Sequence, residues 1–475
     1  MAFLKKIKSI DLIGLSVLFC FLIAYFGIAY FNRAMQDDFG NYHLTQSLGV
    51  IGTGVYSYNH IEGAFIWYLW PSLNAFINQC NTHVFLINLI NLIMVFTSLF
   101  LMLTQIIKKL LPFYSAWIPL NLCILTITAL FYFRNDIVNQ AVFWLSGSGY
   151  LSLMSFLFLG IYFLLKGGTV NFTISLLLLF LFATARIHYT LATLGILFYF
   201  LLWYFSENRK INTQVLFLII AVLLGLAIYL LAPGNYVGRL NTVPVKHLET
   251  PLTEYVKQFI LSLACYFFMH FLRSLPLLIL NFSLAFIGGL KDEKNTFSKN
   301  AFMAFVKFSV FAVLISWFAL ALVMTVIFLK HGNTRTFLFP LFITAMLMNI
   351  NFYFLGIRFK QKFQSFSRLA LPIGLIACGF FLYFFFFDFG NLKKFSAQFD
   401  QRTESIIRAK KHLTSKDTLF LTLLPYTKTL MSNEQRGEPY PQWQADYLEK
   451  YYEPSFKIKL VLPDIKDKAE TEKTY

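Results

Sequence analysis

The sequence predicts an all-α polytopic membrane protein of about 11 transmembrane helices, followed by a small extracytoplasmic α/β tail. Three observations lead there. Hydrophobic residues make up 57% of the 475-residue chain and charged residues 13%, against roughly 25% charge in a soluble domain. Apolar runs such as Leu12 to Phe31 and Ile174 to Ala185 recur along the chain, and each span needs about 20 such residues. The net charge of +17 is spread over short basic clusters between those runs, as topology signals are, and does not form a nucleic-acid face.

The elements follow in order. Spans fall near 11–31, 83–107, 115–133, 148–165, 171–187, 189–205, 213–232, 274–290, 308–329, 336–357 and 369–388. Lys5, Lys6 and Lys8 precede the first, which reads as a retained span because no small-residue cleavage site follows it. Those lysines hold the N-terminus in the cytoplasm. Alternation then puts Lys108/Lys109, Lys166, Arg209/Lys210, Lys291/Lys294/Lys299 and Arg358/Lys360/Lys362/Arg368 on the same side. Residues 62–79 contain Pro71 and are short for a span, so they read as an interfacial or re-entrant helix in the first outer loop. Residues 255–273 carry Lys257, His270 and Arg273 and read as an outer-face amphipathic helix. Counting both as spans would give thirteen.

Residues 1–390 thus form a transmembrane domain and 391–475 a small cap outside. From 389 onward the chain holds 15 Lys/Arg and 12 Asp/Glu. Residues 400–413 read as helix, TLFLTLLP and FKIKLVLP as short strands. The five cysteines are widely spaced, with no metal or disulfide pattern.

Seven of the eleven acids in 1–390 face outward: Asp37, Asp38, Glu62, Asp136, Glu249, Glu254 and Asp388. Ionisable groups beside apolar spans are costly and so mark candidate sites. Asp37 and Asp38 follow the first span, and adjacent carboxylates suit acid–base work; the same pair could cap a helix. Asp136 lies in the connection before the fourth span, with Trp144, Ser146 and Tyr150 after it. Trp144 and Tyr150 could stack on a sugar, or serve as belt residues of a helical hairpin. Arg186, His188, Asn235, Arg239, His331 and Arg335 cluster at outer span ends. Guanidinium groups there can bind phosphate bidentately. They can equally pair with one of the seven acids, and the histidines can be plain structural residues.

Asp-Asp-Phe after the first span, Phe-Trp-x-Ser-Gly-x-x-Tyr at 143–150, Pro-Gly-Asn-x-x-x-Arg at 233–239 and Arg335 together resemble bacterial GT-C-type membrane glycosyltransferases. The resemblance is to a branch akin to the glucosyltransferases that modify O-antigen, and covers most of 1–390. It implies a multi-pass enzyme of the bacterial inner membrane that transfers a sugar, with inversion, from a polyprenyl-phosphate donor. The acceptor would be a surface glycan or a lipid-linked molecule at the extracytoplasmic face. It puts the catalytic acid at Asp37 or Asp38 and donor-phosphate binding at Arg186, Arg239 and Arg335. Asp136, Trp144, Ser146, Tyr150, His188, Asn235 and His331 would then contact substrate. No cofactor or obligatory metal is expected, since the tail is too small for the large domain of metal-dependent oligosaccharyltransferases.

Competing readings are a transporter or flippase for a lipid-linked glycan, a polysaccharide polymerase or ligase, and a membrane acyltransferase using His188 or His331. A transporter would show charges deep in broken, repeated helices, and no internal repeat is seen. A nucleotide-sugar donor fits poorly, because no Gly-rich phosphate loop is present. The topology makes a direct prediction: a cysteine introduced into the tail will be labelled by an impermeant thiol reagent in intact spheroplasts. Absence of labelling there, with labelling after lysis, would invert the topology.

Overall fold

A computed structural model describes residues 9–35, 37–77, 84–132, 142–143, 145–239, 250–265, 268, 271–328, 334–424, 430 and 442–461. Its helices are α1 (Ser9–Phe31), α2 (Asp37–His60), α3 (Phe65–Ile77), α4 (Phe85–Leu110), α5 (Trp117–Ala129), α6 (Leu145–Lys166) and α7 (Thr169–Ala183). They continue as α8 (Ile187–Asn208), α9 (Thr213–Leu231), α10 (Leu252–Cys265), α11 (Arg273–Leu290), α12 (Lys299–Phe328), α13 (Leu338–Phe363) and α14 (Ala370–Ala409). The tail adds β1 (Thr418–Thr422), α15 (Gln442–Tyr452) and β2 (Lys457–Val461).

A helix occupies each expected span position. By length and hydropathy, 8 segments among the described residues can cross a membrane; the last, Leu338–Ala409, holds both α13 and α14. Trp117–Tyr132 and Thr169–Ala183 are apolar but shorter. The chain is therefore a multi-pass helical membrane protein.

Local chemistry sets the turns. Gly167 and Gly168 adopt φ of 76° and 85°, a left-handed conformation that glycine enters without Cβ strain, and reverse the chain between α6 and α7. Asn212 caps α9 by accepting from the Val215 N–H at 3.2 Å. Within the bundle, α11 packs along α13 and α1 along α14. Gly289 and Gly356 let α11 and α13 touch backbone to backbone, since a Cβ on either would overlap the other helix's peptide atoms. Aromatic rings fill the centre: Phe21 stands edge-on to Phe131 and Phe381, with centroids 4.9 and 5.6 Å away.

Two features depart from the sequence reading. The stretch after the first span, read as outer loop, is the 24-residue helix α2, broken at Gly49 (φ 71°). Its polar and glycine-rich composition hides it, and packing against α3 and α15 holds it. Helices were expected at 62–79 and 255–273, and the short helices α3 and α10 overlap those segments. Finally, α14 runs 40 residues without a break through position 390, a length of about 60 Å at 1.5 Å per residue. Residues 391–409 thus continue the helix of the last span. The two expected strands form and pair in parallel, Thr418 opposite Lys457.

Substituting Gly289 or Gly356 by alanine will push α11 and α13 apart. The expected cost is about 1–3 kcal/mol, typical of overpacking. It should appear as a lower temperature of loss of the monodisperse peak in fluorescence-detected size exclusion, while Gly379→Ala, whose Cβ would meet nothing within 4 Å, leaves it unchanged.

Candidate functional site

Asp38, Glu62 and Arg186 lie at one end of the bundle, where α1 ends and α2, α6 and α8 begin. Asp38 is the centre of a first network. Its Oδ2 accepts from the Met35 N–H at 2.8 Å, three residues back, as the acid of a capping box does. Its Oδ1 accepts from the N–H and Oγ–H of Ser146, at 2.8 and 2.5 Å, in the first turn of α6. One carboxylate, 2% exposed, therefore sits at two helix N-termini, where the helix dipoles favour negative charge. Asn41 Nδ2 donates to Ser146 Oγ at 2.8 Å, and Asn32 Nδ2 to the Phe143 carbonyl at 2.5 Å. Arg33 closes the rim with a two-pronged bond to Asp400 of α14 at 2.8 and 2.9 Å. Phe39 and Tyr42 of α2 pack on Tyr451 of α15, so the tail covers the start of the helix that bears the acid pair.

A second network surrounds Arg186, the residue before α8. Its Nη1 donates to Glu62 Oε1 at 2.6 Å, and both side chains are buried, at 7% and 1% exposure. The guanidinium lies over Trp67 of α3 and Tyr150 of α6, 4.0 and 5.1 Å from the ring centroids. Burial works against its charge and is the largest single effect, but Glu62 together with Tyr150, Tyr229 and Tyr68 offsets it and leaves the guanidinium's pKa raised. Tyr189 packs on Tyr150 at 6.2 Å and on His188 at 4.6 Å. Gly149 makes room for this arrangement: a Cβ there would stand 2.9 Å from Trp67 Nε1.

Helix α6 joins the networks through its first turns. Ser146 meets Asp38, Tyr150 meets Arg186, and between them Ser148 Oγ accepts from Asn74 Nδ2 at 3.3 Å. Asn235 acts as a clamp, accepting from the Gly63 N–H at 2.9 Å and donating to the Tyr229 carbonyl. A Cβ on Gly234 would strike the Tyr58 carbonyl oxygen at 2.6 Å. The Pro-Gly-Asn motif thus holds the α2–α3 connection, including Glu62, against the end of α9.

Of the expected site residues, Asp38, Ser146, Tyr150, Arg186, His188 and Asn235 come together here. Asp37 opens α2, Arg239 ends the turn Asn235–Arg239 and Arg335 lies in the turn Thr334–Phe337; their side chains lie outside the described residues, as do Asp136, Trp144 and His331. Arg186 takes the ion-pair option, with Glu62 as its partner. Sequence reasoning gave Glu62 no role and passed over Trp67, Tyr189 and Arg33. An acid and a tryptophan five residues apart in a segment too short to span were the available signal. Among the described residues, no three His, Cys, Asp or Glu side chains gather as metal ligands.

A cavity of about 230 Å³ lies at the opposite end, lined among others by Asp11, Asn121, Asp292 and Tyr353. Its acids are engaged: Asn121 Nδ2 donates to Asp11 at 2.8 Å, and Tyr353 Oη to Asp292 at 2.6 Å. It is remote from the Asp38 and Arg186 networks.

Glu62→Ala will destabilise the protein by about 3–5 kcal/mol, because it strands a buried charge. The double substitution Glu62→Leu with Arg186→Met should recover most of that loss in a thermal unfolding assay. A double variant as unstable as the single would show that the pair does more than neutralise itself.

No family model, curated protein or solved structure matches the chain. Its fold and its polar end identify it as a multi-pass helical membrane protein with two buried charged networks joined by one helix.

Proposed function

We propose that the chain is a membrane glycosyltransferase of the GT-C type, transferring a sugar from a polyprenyl-phosphate donor to a surface glycan or lipid-linked acceptor. The reading places the reaction at the extracytoplasmic face of a bacterial inner membrane. One observation carries it: an acid pair opens a buried-end helix, and the same end holds Arg186 and the turns bearing Arg239 and Arg335. A base for the acceptor and positive charge for the departing phosphate are what the reaction needs.

Both oxygens of Asp38 are occupied by structural donors, so the role of base falls to Asp37 and that of positioning to Asp38. Asp37 takes the proton of an acceptor hydroxyl as its oxygen attacks the anomeric carbon. The bond from that carbon to the phosphate oxygen breaks, and the phosphate leaves with the electron pair. Arg239 and Arg335, with Arg186, neutralise it. Trp144 offers an aromatic face to the sugar, and Tyr150 holds the Arg186 guanidinium.

The test is complementation of a deletion strain, read as envelope glycan composition by mass spectrometry. Wild-type protein should restore a glycan that Asp37→Asn does not, at equal membrane abundance, with a rate loss of at least about 100-fold, typical for a general base. Full transfer by Asp37→Asn would end the assignment of the base. An unchanged glycan profile in the deletion strain would end the reading itself.

A further inference from the structure

The Arg186 network has more hydrogen-bond donors than it uses. Arg186 Nε, Trp67 Nε1, Tyr189 Oη and Ser57 Oγ have no hydrogen-bond partner among the described residues. All four side chains are at least nine-tenths buried: Trp67 and Arg186 are 6% exposed, Tyr189 and Ser57 0%. Buried polar atoms in folded proteins almost always find partners, and a group of orphans in one place calls for an explanation. These belong to one cluster. The guanidinium covers Trp67, Tyr150 links it to Tyr189, and Ser57 precedes Glu62, whose N–H donates to the Ser57 carbonyl at 3.0 Å.

His188 Nε2, on the ring packed against Tyr189, is unpaired among the described residues as well, but Arg186 Nε–H and Trp67 Nε1–H can only donate, and donors around a cation suit an acceptor-rich anion. Glu62 already shows what Arg186 takes: an anionic oxygen at 2.6 Å. Glu62 lies in the short connection between α2 and α3, outside both helices, so it can withdraw without shifting a span.

We propose that this cluster is a phosphate-ester subsite held shut by Glu62. The ester's anionic oxygens replace the Glu62 carboxylate on Arg186 and accept from Trp67 Nε1–H and Tyr189 Oη–H. Glu62 is thus a competitor that an entering phosphate displaces, and Trp67 and Tyr189 are binding residues. The inference rests on the donor being a lipid phosphate, as proposed above.

The experiment uses the full chain in nanodiscs. Binding and thermal stability are measured with a long-chain polyprenyl monophosphate, the matching polyprenol and inorganic phosphate, for wild type, Trp67→Phe, Tyr189→Phe and Glu62→Gln. Tyr189→Phe deletes an orphan donor and keeps the ring, so a structural role alone predicts unchanged or higher unliganded stability and unchanged binding; Trp67→Phe also shrinks the ring under Arg186, and its own unliganded stability is the reference for its binding. A subsite predicts that stability for Tyr189→Phe, with polyprenyl phosphate bound roughly tenfold more weakly by both Phe variants. Glu62→Gln should bind it roughly tenfold more tightly, and the polyprenol should not bind any form at the same site.

Wild-type affinity in both Phe variants and in Glu62→Gln would overturn the subsite, while binding of polyprenyl phosphate to wild type would still uphold the donor reading. Inorganic phosphate binding with the expected dependence on Trp67, Tyr189 and Glu62, without polyprenyl phosphate binding, would keep the subsite and end the lipid-donor reading. If neither phosphate binds any form, both fall.

Discussion

A lipid interior offers no hydrogen-bond partner to a peptide group, and this constraint shapes the whole chain. Each N–H and C=O at membrane depth must be satisfied within its own segment, which leaves helices as the form an apolar stretch can take here. Polar side chains on those helices follow the same rule. Thr126 and Thr128 turn their hydroxyls back to carbonyls one turn earlier, at 2.7 and 2.8 Å, and Asn281 reaches across to the Leu125 carbonyl. Irregular backbone and charge are displaced to the ends of the bundle, where water and helix termini can satisfy them.

At the Asp38 end, charge is held in two ways. Asp38 is a carboxylate that accepts from peptide N–H groups at two helix N-termini. Arg186 instead pairs with Glu62 and stacks on Trp67 and Tyr150. Taking both charges of such a pair out of water costs several kcal/mol per ion, and a hydrophobic replacement is often as stable. A pair kept under that penalty, with donors left over around it, is better explained by binding than by stability. The two networks share helix α6, whose first turns set Ser146 on Asp38 and Tyr150 under Arg186.

How far this was legible depends on the kind of signal. Long apolar runs and basic clusters report directly on spans, and α1, α4, α6, α9 and α14 start within about four residues of where hydropathy puts them. Helix α2 was illegible because Asn, Gly, Ser and Thr give it no apolar period; it exists through its contacts with α3 and α15. The continuation of α14 past residue 390 was hidden by a change of composition, which marks where the helix leaves the lipid and not where it ends. In the site, Asp38, Ser146 and Arg186 could be named from motifs, whereas Glu62 and Trp67 could not. They come from a segment with no motif of its own and acquire meaning through Arg186, more than a hundred positions away.

By itself, the sequence determined that the chain enters the membrane repeatedly, where its spans lie and which residues would be rare charges near span ends. Those follow from the transfer energy of side chains, a property each residue carries with it. Tertiary structure alone decided what those charges do. It made Asp38 a cap shared by two helices, gave Arg186 an acid for a partner, and left Trp67 and Tyr189 with donors to spare. Pairing depends on distance and direction within a few ångströms, and these are set by how helices far apart in the chain pack together.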